Sequence, residues 1–319
     1  MRTPSPQTSK IAETLADIEC LGNLMIMTDK YKHSSRARKP KKRKHKRRLS
    51  RAQTGASIEP GGSQQRWSSG ADRGGDWLYG THAVLAALAN PKRSCLRIVL
   101  SSTSSDGIRN QIEQALGNVS GRPDPETLDR EQIGALIPLG AVHQGLALLA
   151  SPLEDIAIED ILGGTQGKAE ASVVVLDQAT DPRNVGAVMR SAAAFGASAV
   201  ILQDRHAPPM TGALCKAASG AVEWVALVRV VNLARAIGKL KDAGFWAAGL
   251  DAVAKRTLAQ ADLSGRVALV LGAEGAGLRR LTRDTCDELL KVPVRQGSDS
   301  LNLSNAAAVA LYELNRQRG

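Results

Sequence analysis

Val267-Ala-Leu-Val-Leu-Gly-Ala-Glu-Gly-Ala-Gly277 is a wholly apolar run that enters a turn holding three glycines around one carboxylate. A run of that length reads as a strand buried on both faces, and the glycines let backbone amides approach a ligand closely. The same pattern opens a Rossmann domain, where the glycine loop follows the first strand of the sheet. Here only 42 residues follow Gly277, too few to build the rest of such a sheet. The loop therefore closes an α/β domain, and most of its strands must lie upstream.

The chain from Ala171 onward supplies them. Apolar strands are predicted at 173–176, 199–202, 225–230, 245–250, 267–271 and 289–292, and helices over 185–195, 213–219, 233–243 and from about Leu303. Short apolar strands alternating with helices imply a mainly parallel sheet covered on both faces. Residues 76–153 read as a separate, smaller α/β unit, with helices at 82–89, 108–116 and 128–136 and strands at 96–100 and 145–150. Between them, 154–171, with Gly163, Gly164 and Gly167, reads as a linker containing one short helix.

Residues 1–75 differ in kind. They hold 17 Lys and Arg against 6 Asp and Glu, which accounts for the whole formal charge of +11 and leaves the remainder neutral. Between Arg36 and Arg48, 10 of 13 residues are basic, a density that keeps a chain extended and suits RNA phosphates. This predicts a disordered basic tail; a merely solubilising role is the plainer alternative. Residues 1–26 differ from the basic run, which leaves Met25 and Met27 as alternative starts. Four scattered cysteines without a Cys-x-x-Cys pair argue against a zinc site or disulfide framework and fit a reducing cytoplasm. No segment approaches the length of apolar residues that spans a membrane.

Three polar clusters follow predicted strands, where α/β sheets place ligands. In Asp177-Gln-Ala-Thr-Asp-Pro-Arg-Asn-Val-Gly-Ala-Val-Met-Arg190, Asp181 suits a helix cap and Pro182 the first helical position. That leaves Asn184 and Arg190 unexplained. Arg190 lies in a small, apolar stretch and needs an acceptor, either a structural carboxylate or a phosphate. Glu274 is a carboxylate amid glycines. Val292-Pro-Val-Arg-Gln-Gly-Ser-Asp-Ser-Leu-Asn-Leu-Ser-Asn305 is dense in small polar groups; Ser300 and Asn302 also suit caps for the last helix.

Asp-Pro-Arg-Asn-Val-Gly with Arg190, Leu-Gly-Ala-Glu-Gly-Ala-Gly-Leu, and Val-Pro…Ser-Leu-Asn-Leu-Ser-Asn-Ala, in that order, resemble the three signature motifs of SpoU-type (TrmH-like) RNA 2′-O-ribose methyltransferases of the SPOUT superfamily. Ala217-Ala-Ser-Gly-Ala-Val-Glu223 is similar to a fourth segment, and Tyr79-Gly-Thr-His-Ala-Val and His143-Gln-Gly resemble the ends of that family's substrate-binding domain. The resemblance implies a methyltransferase domain over 172–319 with a deep trefoil knot, preceded by a small α/β RNA substrate-binding domain over 76–153. It implies S-adenosylmethionine as cofactor, no metal, RNA as partner and a homodimer with the site near the subunit interface. Gly272, Val292 and Leu301 match cofactor-binding positions; Asn184, Arg190, Glu274, Ser300 and Asn302 match the catalytic set. A substrate domain joined to this catalytic unit looks most like the enzymes acting on a guanosine of large-subunit ribosomal RNA. Transfer RNA as target, base-directed methylation and a non-catalytic assembly role are the alternatives.

Methyl transfer from a sulfonium to a hydroxyl is an in-line displacement, so alignment of oxygen, methyl and sulfur dominates, worth up to about 7–11 kcal/mol in favourable models. Arginine resists deprotonation. Arg190 is therefore expected to orient a substrate phosphate and stabilise the developing alkoxide rather than act as a base, with Glu274 holding it in place. Asn184, Ser300 and Asn302 would position donor and acceptor through neutral hydrogen bonds.

Overall fold

The computed structural model describes residues 74–117, 119–295 and 301–319. The predicted disordered tail lies outside them but for its last two residues, and so does Ser300. The described chain from Gly74 onward belongs to one compact unit containing two sheets.

The first sheet comprises β1 (Asp76–Tyr79), β2 (Cys95–Ser101), β3 (Pro125–Leu128) and β4 (Leu146–Ala150), in the order β1-β4-β2-β3. Helices α1 (Thr81–Ala89), α2 (Asp106–Gly117) and α3 (Arg130–Leu136) accompany it. The helix predicted at 128–136 begins two residues later. Asp129 accepts from the Gln132 N–H (2.7 Å) while its own N–H donates to the Gln132 side chain (3.0 Å), a reciprocal cap that starts the helix at Arg130. The residues before it pair parallel with β2 instead.

Helix α4 (Ile158–Thr165) is the short helix expected between the two units, and it packs Ile158 and Ile161 into the core of the second sheet. That sheet has seven strands, β5 (Ala171–Leu176), β6 (Ala199–Gln203), β7 (Ala226–Val230), β8 (Trp246–Leu250), β9 (Arg256–Thr257), β10 (Arg266–Leu271) and β11 (Glu288–Lys291). Their order is β7-β6-β5-β10-β8-β11-β9 and every pairing is parallel. Helices α5 (Pro182–Ala194), α6 (Gly212–Ala218), α7 (Leu233–Asp242), α8 (Arg280–Thr285) and α9 (Leu303–Arg318) complete the domain. The edge strand β9 and helix α8 carry too few apolar residues to show in the hydrophobic pattern.

Alternation along each strand divides the core in two. Val174, Leu176, Leu269 and Leu271 face α5, α6 and α9, whereas Val173, Val175, Ala268 and Val270 face α4 and α7. Both sets are buried, which is why these strands read as unbroken apolar runs. The first cluster continues into Leu78, Ile98 and Leu148 of the smaller sheet and Leu88 of α1.

Two close approaches need glycine. A Cβ at Gly186 of α5 would lie 2.5 Å from the Leu214 carbonyl oxygen, and one at Gly212 would lie 2.3 Å from that of Trp77. The second lets the start of α6 sit against β1 and so joins the two sheets. Beside it, Arg93 and Glu223 form a buried ion pair at 3.4 Å, with side chains 3% and 0% exposed. Asn90 Nδ2 donates to the other Glu223 oxygen at 2.8 Å. Burial pushes the Glu223 carboxyl above the usual range, and Arg93 opposes that shift.

Candidate active site

The three polar clusters follow β5, β10 and β11 and meet at the carboxyl ends of those strands, as expected for an α/β sheet. The first enters α5. Asp181 caps that helix by accepting from the Arg183 N–H at 2.8 Å, with Pro182 in the first turn. The helical period then sends Val185, Val188, Met189 and Ala192 inward.

Asn184, Glu274 and Asn302 come together although 90 residues separate the first two and 28 the last two. Glu274 Oε1 accepts from Asn184 Nδ2 (2.8 Å), from Asn302 Nδ2 (2.7 Å) and from the Leu303 N–H (3.3 Å). Asn302 Nδ2 also donates to Asn184 Oδ1 at 3.1 Å. Asn302 Oδ1 faces the other way and caps α9, accepting from the Ser304 N–H (2.9 Å) and hydroxyl (2.6 Å). The cap fixes the orientation of the Asn302 amide, so its NH2 must face the carboxylate. Glu274 Oε2 keeps its accepting capacity, with no hydrogen-bond partner among the described residues. Asn302 is thus both a cap and part of the network, so the plainer reading and the functional one describe the same residue.

Arg190 is not part of this network. It is exposed and makes no ion pair or hydrogen bond among the described residues. The expectation that Glu274 holds it fails: no ion pair or hydrogen bond joins the two side chains, and the contacts of Glu274 go to two amides and a backbone N–H instead. The helical period explains the rest. It turns Arg190 outward while its apolar neighbours turn in, aligned with exposed Arg183 two turns earlier. Among the described residues, no carboxylate takes up this guanidinium.

Gly272 opens a tight turn closed by the Gly277 N–H donating to the Ala273 carbonyl at 2.9 Å. Gly275 and Gly277 have φ of 76° and 66°, a region that disfavours side chains. A Cβ on Gly272 would lie 2.0 Å from the Gly277 carbonyl carbon. Val292 and Leu301, both half-buried, flank the ends of the third cluster. Ser300 cannot be placed in this arrangement because it lies outside the described residues. Burial pushes the thiols of Cys215 and Cys286 up to about 12, so both stay protonated near neutral pH. Among the described residues, no group of three or more His, Cys, Asp or Glu side chains could hold a metal, and no helix is long and apolar enough to cross a membrane.

One constellation escaped the sequence reading. Asp177, directly after β5, has a fully buried side chain and accepts from the Arg279 backbone N–H (3.0 Å) and Nε (2.7 Å). Arg279 Nη2 in turn donates to Gln203 Oε1 at 2.7 Å. A charge at the end of a wholly apolar strand was the available signal, but its partner lies 102 residues away.

Residues 171–312 match the SpoU rRNA Methylase family, and residues 77–156 match the RNA 2′-O ribose methyltransferase substrate binding family. A 23S rRNA (guanosine-2′-O-)-methyltransferase RlmB of Vibrio vulnificus is 39% identical over 247 residues, covering 76% of this chain and 97% of that one. An uncharacterized tRNA/rRNA methyltransferase of Synechocystis is 40% identical over 249 residues; the match covers 76% of this chain but only 63% of that protein. The SpoU methyltransferase AviRb from Streptomyces viridochromogenes, solved in complex with AdoMet, shares the fold. Its TM-score is 0.64 at 21% identity, covering 78% of this chain and 92% of that one. The two halves of the described chain thus match the two parts of one kind of enzyme, an RNA 2′-O-ribose methyltransferase. The chain belongs to the SpoU rRNA methylase family.

Proposed function

We propose that this chain transfers a methyl group from S-adenosylmethionine to the ribose 2′-hydroxyl of a guanosine in 23S ribosomal RNA. The observation that carries this reading is the Asn184–Glu274–Asn302 network, which joins the ends of three strands beside the glycine turn. The V. vulnificus relative, matched over nearly its whole length, supports guanosine in 23S rRNA as the target.

The residues present fit the cofactor. The Gly272–Gly277 turn is so closely folded that no side chain fits at 272, leaving backbone groups to face a ligand, and Val292 and Leu301 add apolar flanks. These residues would hold S-adenosylmethionine, which supplies an electrophilic methyl on a sulfonium. Asn184 and Asn302, locked by Glu274, position the ribose, and Ser300 contributes from the same loop. Arg190, exposed and without a carboxylate partner among the described residues, binds a substrate phosphate and stabilises charge developing on the 2′-oxygen. Gly272→Ala is expected to abolish cofactor binding in calorimetric titration and to lower stability by about 1–3 kcal/mol through overpacking. Cofactor affinity equal to wild type would remove Gly272 from the site.

The same reading takes residues 76–153 as the RNA substrate-binding domain, 154–171 as the linker and 172–319 as the methyltransferase domain. Its C-terminal segment threads a loop as a trefoil knot, supported by β10 lying between β5 and β8 while α9 returns to pack on α5. The protein acts as a cytoplasmic homodimer; exposed Val309 and Tyr312 at helical spacing on α9 support a partner surface. Residues 1–75, which carry the whole net charge of +11, grip RNA phosphates. Deleting residues 1–75 should leave turnover at saturating RNA intact and flatten the plot of log affinity against log salt, by about 0.7–0.9 per lost phosphate contact. Equal slopes for both proteins would take the tail off the RNA.

The function is tested by mapping 2′-O-methyl groups in ribosomal and transfer RNA from cells with and without the gene. Loss at one 23S guanosine is expected. Loss in transfer RNA would overturn the ribosomal target, and no loss anywhere would overturn the reaction.

A further inference from the structure

Beside the network, on the β6 side, the carboxyl ends of β5 and β6 enclose a cleft of about 430 Å³, within the ~300–1,000 Å³ typical of small-molecule sites. Gln178, Thr180, Leu202, Gln203, Arg205 and Arg279 are among its walls. Gln178–Thr180 runs directly into α5, which carries Asn184, and Arg279 ends the loop that carries Glu274. The cleft is therefore built on the same two segments as the network.

Its polar groups are oriented from beneath. The buried Asp177 carboxylate holds Arg279 through Nε and the backbone N–H, at 2.7 and 3.0 Å, and cancels its charge. Arg279 Nη2 then donates to Gln203 Oε1 at 2.7 Å. With its carbonyl oxygen turned to Arg279, the Gln203 amide presents only its NH2 elsewhere, and those two N–H groups have no partner among the described residues. Arg205 is exposed and without an ion pair among the described residues, so it is the cleft's uncompensated cation. Leu202 and Ala179 add an apolar floor.

An oriented donor, an uncompensated guanidinium and an apolar floor suit one class of ligand, a nucleotide whose base shows acceptors. Guanine offers two adjacent acceptors, O6 and N7, whereas adenine sets an amino donor beside N7. We infer that this cleft receives the guanine of the target nucleotide, with Gln203 donating to its acceptor edge and Arg205 binding an adjoining phosphate. The inference rests on the guanosine reading above and makes Gln203 a specificity-determining residue and Arg205 a phosphate-binding one.

Guanosine 5′-monophosphate is the probe, titrated into isotope-labelled full-length protein and followed by NMR, with adenosine 5′-monophosphate and inorganic phosphate as comparisons. The Gln203 side-chain amide and the Arg205 Nε signals should move with the guanine nucleotide. Gln203→Ala should weaken that nucleotide roughly 5- to 100-fold and erase the preference over adenine, whereas Arg205→Ala should weaken both alike. With ribosomal RNA as substrate, Gln203→Ala should raise KM and leave cofactor affinity unchanged. Equal responses to phosphate alone, or unchanged guanine affinity in Gln203→Ala, would overturn the assignment. Wild-type protein that binds the guanine nucleotide here yet methylates no ribosomal RNA would overturn the function proposed above, because the titration decides the cleft by itself.

Discussion

Arg190→Ala is expected to lower methyl transfer about 100- to 1,000-fold at saturating RNA, the usual loss when one oriented donor to a developing oxyanion is removed. Its midpoint of unfolding should barely move, because Arg190 is exposed and supports no ion pair among the described residues, and such surface substitutions usually stay within about 0.5 kcal/mol. The contrast with Asn302 is instructive. From sequence alone, Asn302→Ala also looks like a clean catalytic lesion. The structure shows Asn302 capping α9 through the Ser304 N–H, so the alanine variant should lose about 0.5–2 kcal/mol of stability as well. Asn302→Ser separates the two effects, since the hydroxyl can keep the cap while the NH2 facing Glu274 is gone. Single-turnover assays beside thermal melts check both residues. Full activity in Arg190→Ala would remove it from the catalytic set; an unfolded Arg190→Ala would mean that the side chain supports the fold after all.

Arg93→Ala is expected to cost about 3–5 kcal/mol, the range for removing one partner of a buried ion pair. It leaves the Glu223 carboxylate fully buried, with Asn90 donating at 2.8 Å and no Arg93 opposite. The deficit should depend on pH. Burial already raises the Glu223 pKa in the native protein, and losing Arg93 raises it further. The folded variant then binds a proton more tightly than the unfolded chain. Its stability is kept at pH below the unfolded carboxylate value and is lost as pH rises through the elevated folded one. Urea denaturation across that interval should show the variant closest to wild type at the acidic end. A deficit that does not change with pH would mean that Glu223 is not the titrating group. Because this pair ties the 3₁₀ turn Ala221–Glu223 to the segment after α1, the variant should also weaken the seam between the two sheets. Limited proteolysis near residue 154 should reveal that.

The Glu274 result shows what kind of inference fails from sequence. A carboxylate among glycines and an arginine in an apolar helix looked like a natural pair by charge. The amides won because Asn302 is held by its helix cap and Asn184 by the first turn of α5, which puts both NH2 groups on one carboxylate oxygen. Those constraints depend on contacts spanning 90 and 118 residues. By contrast, the cap at Asp181 and the outward turn of Arg190 rest on neighbours within two turns of helix.

The same division runs through the whole molecule. Hydrophobic periodicity is local, so the sequence by itself determined the parallel α/β class, nearly every long strand and helix, and the three polar segments that end strands. It also placed the Gly272 turn near the end of the domain. Pairing and register are not local, and only the tertiary structure decided that β10 lies between β5 and β8, that Asn184, Glu274 and Asn302 meet, and that Arg190 stands apart from them. The buried pairs Asp177–Arg279 and Arg93–Glu223 belong with these. Each joins charges remote in sequence, and their attraction has a direction only once the packed strands have removed the water between them.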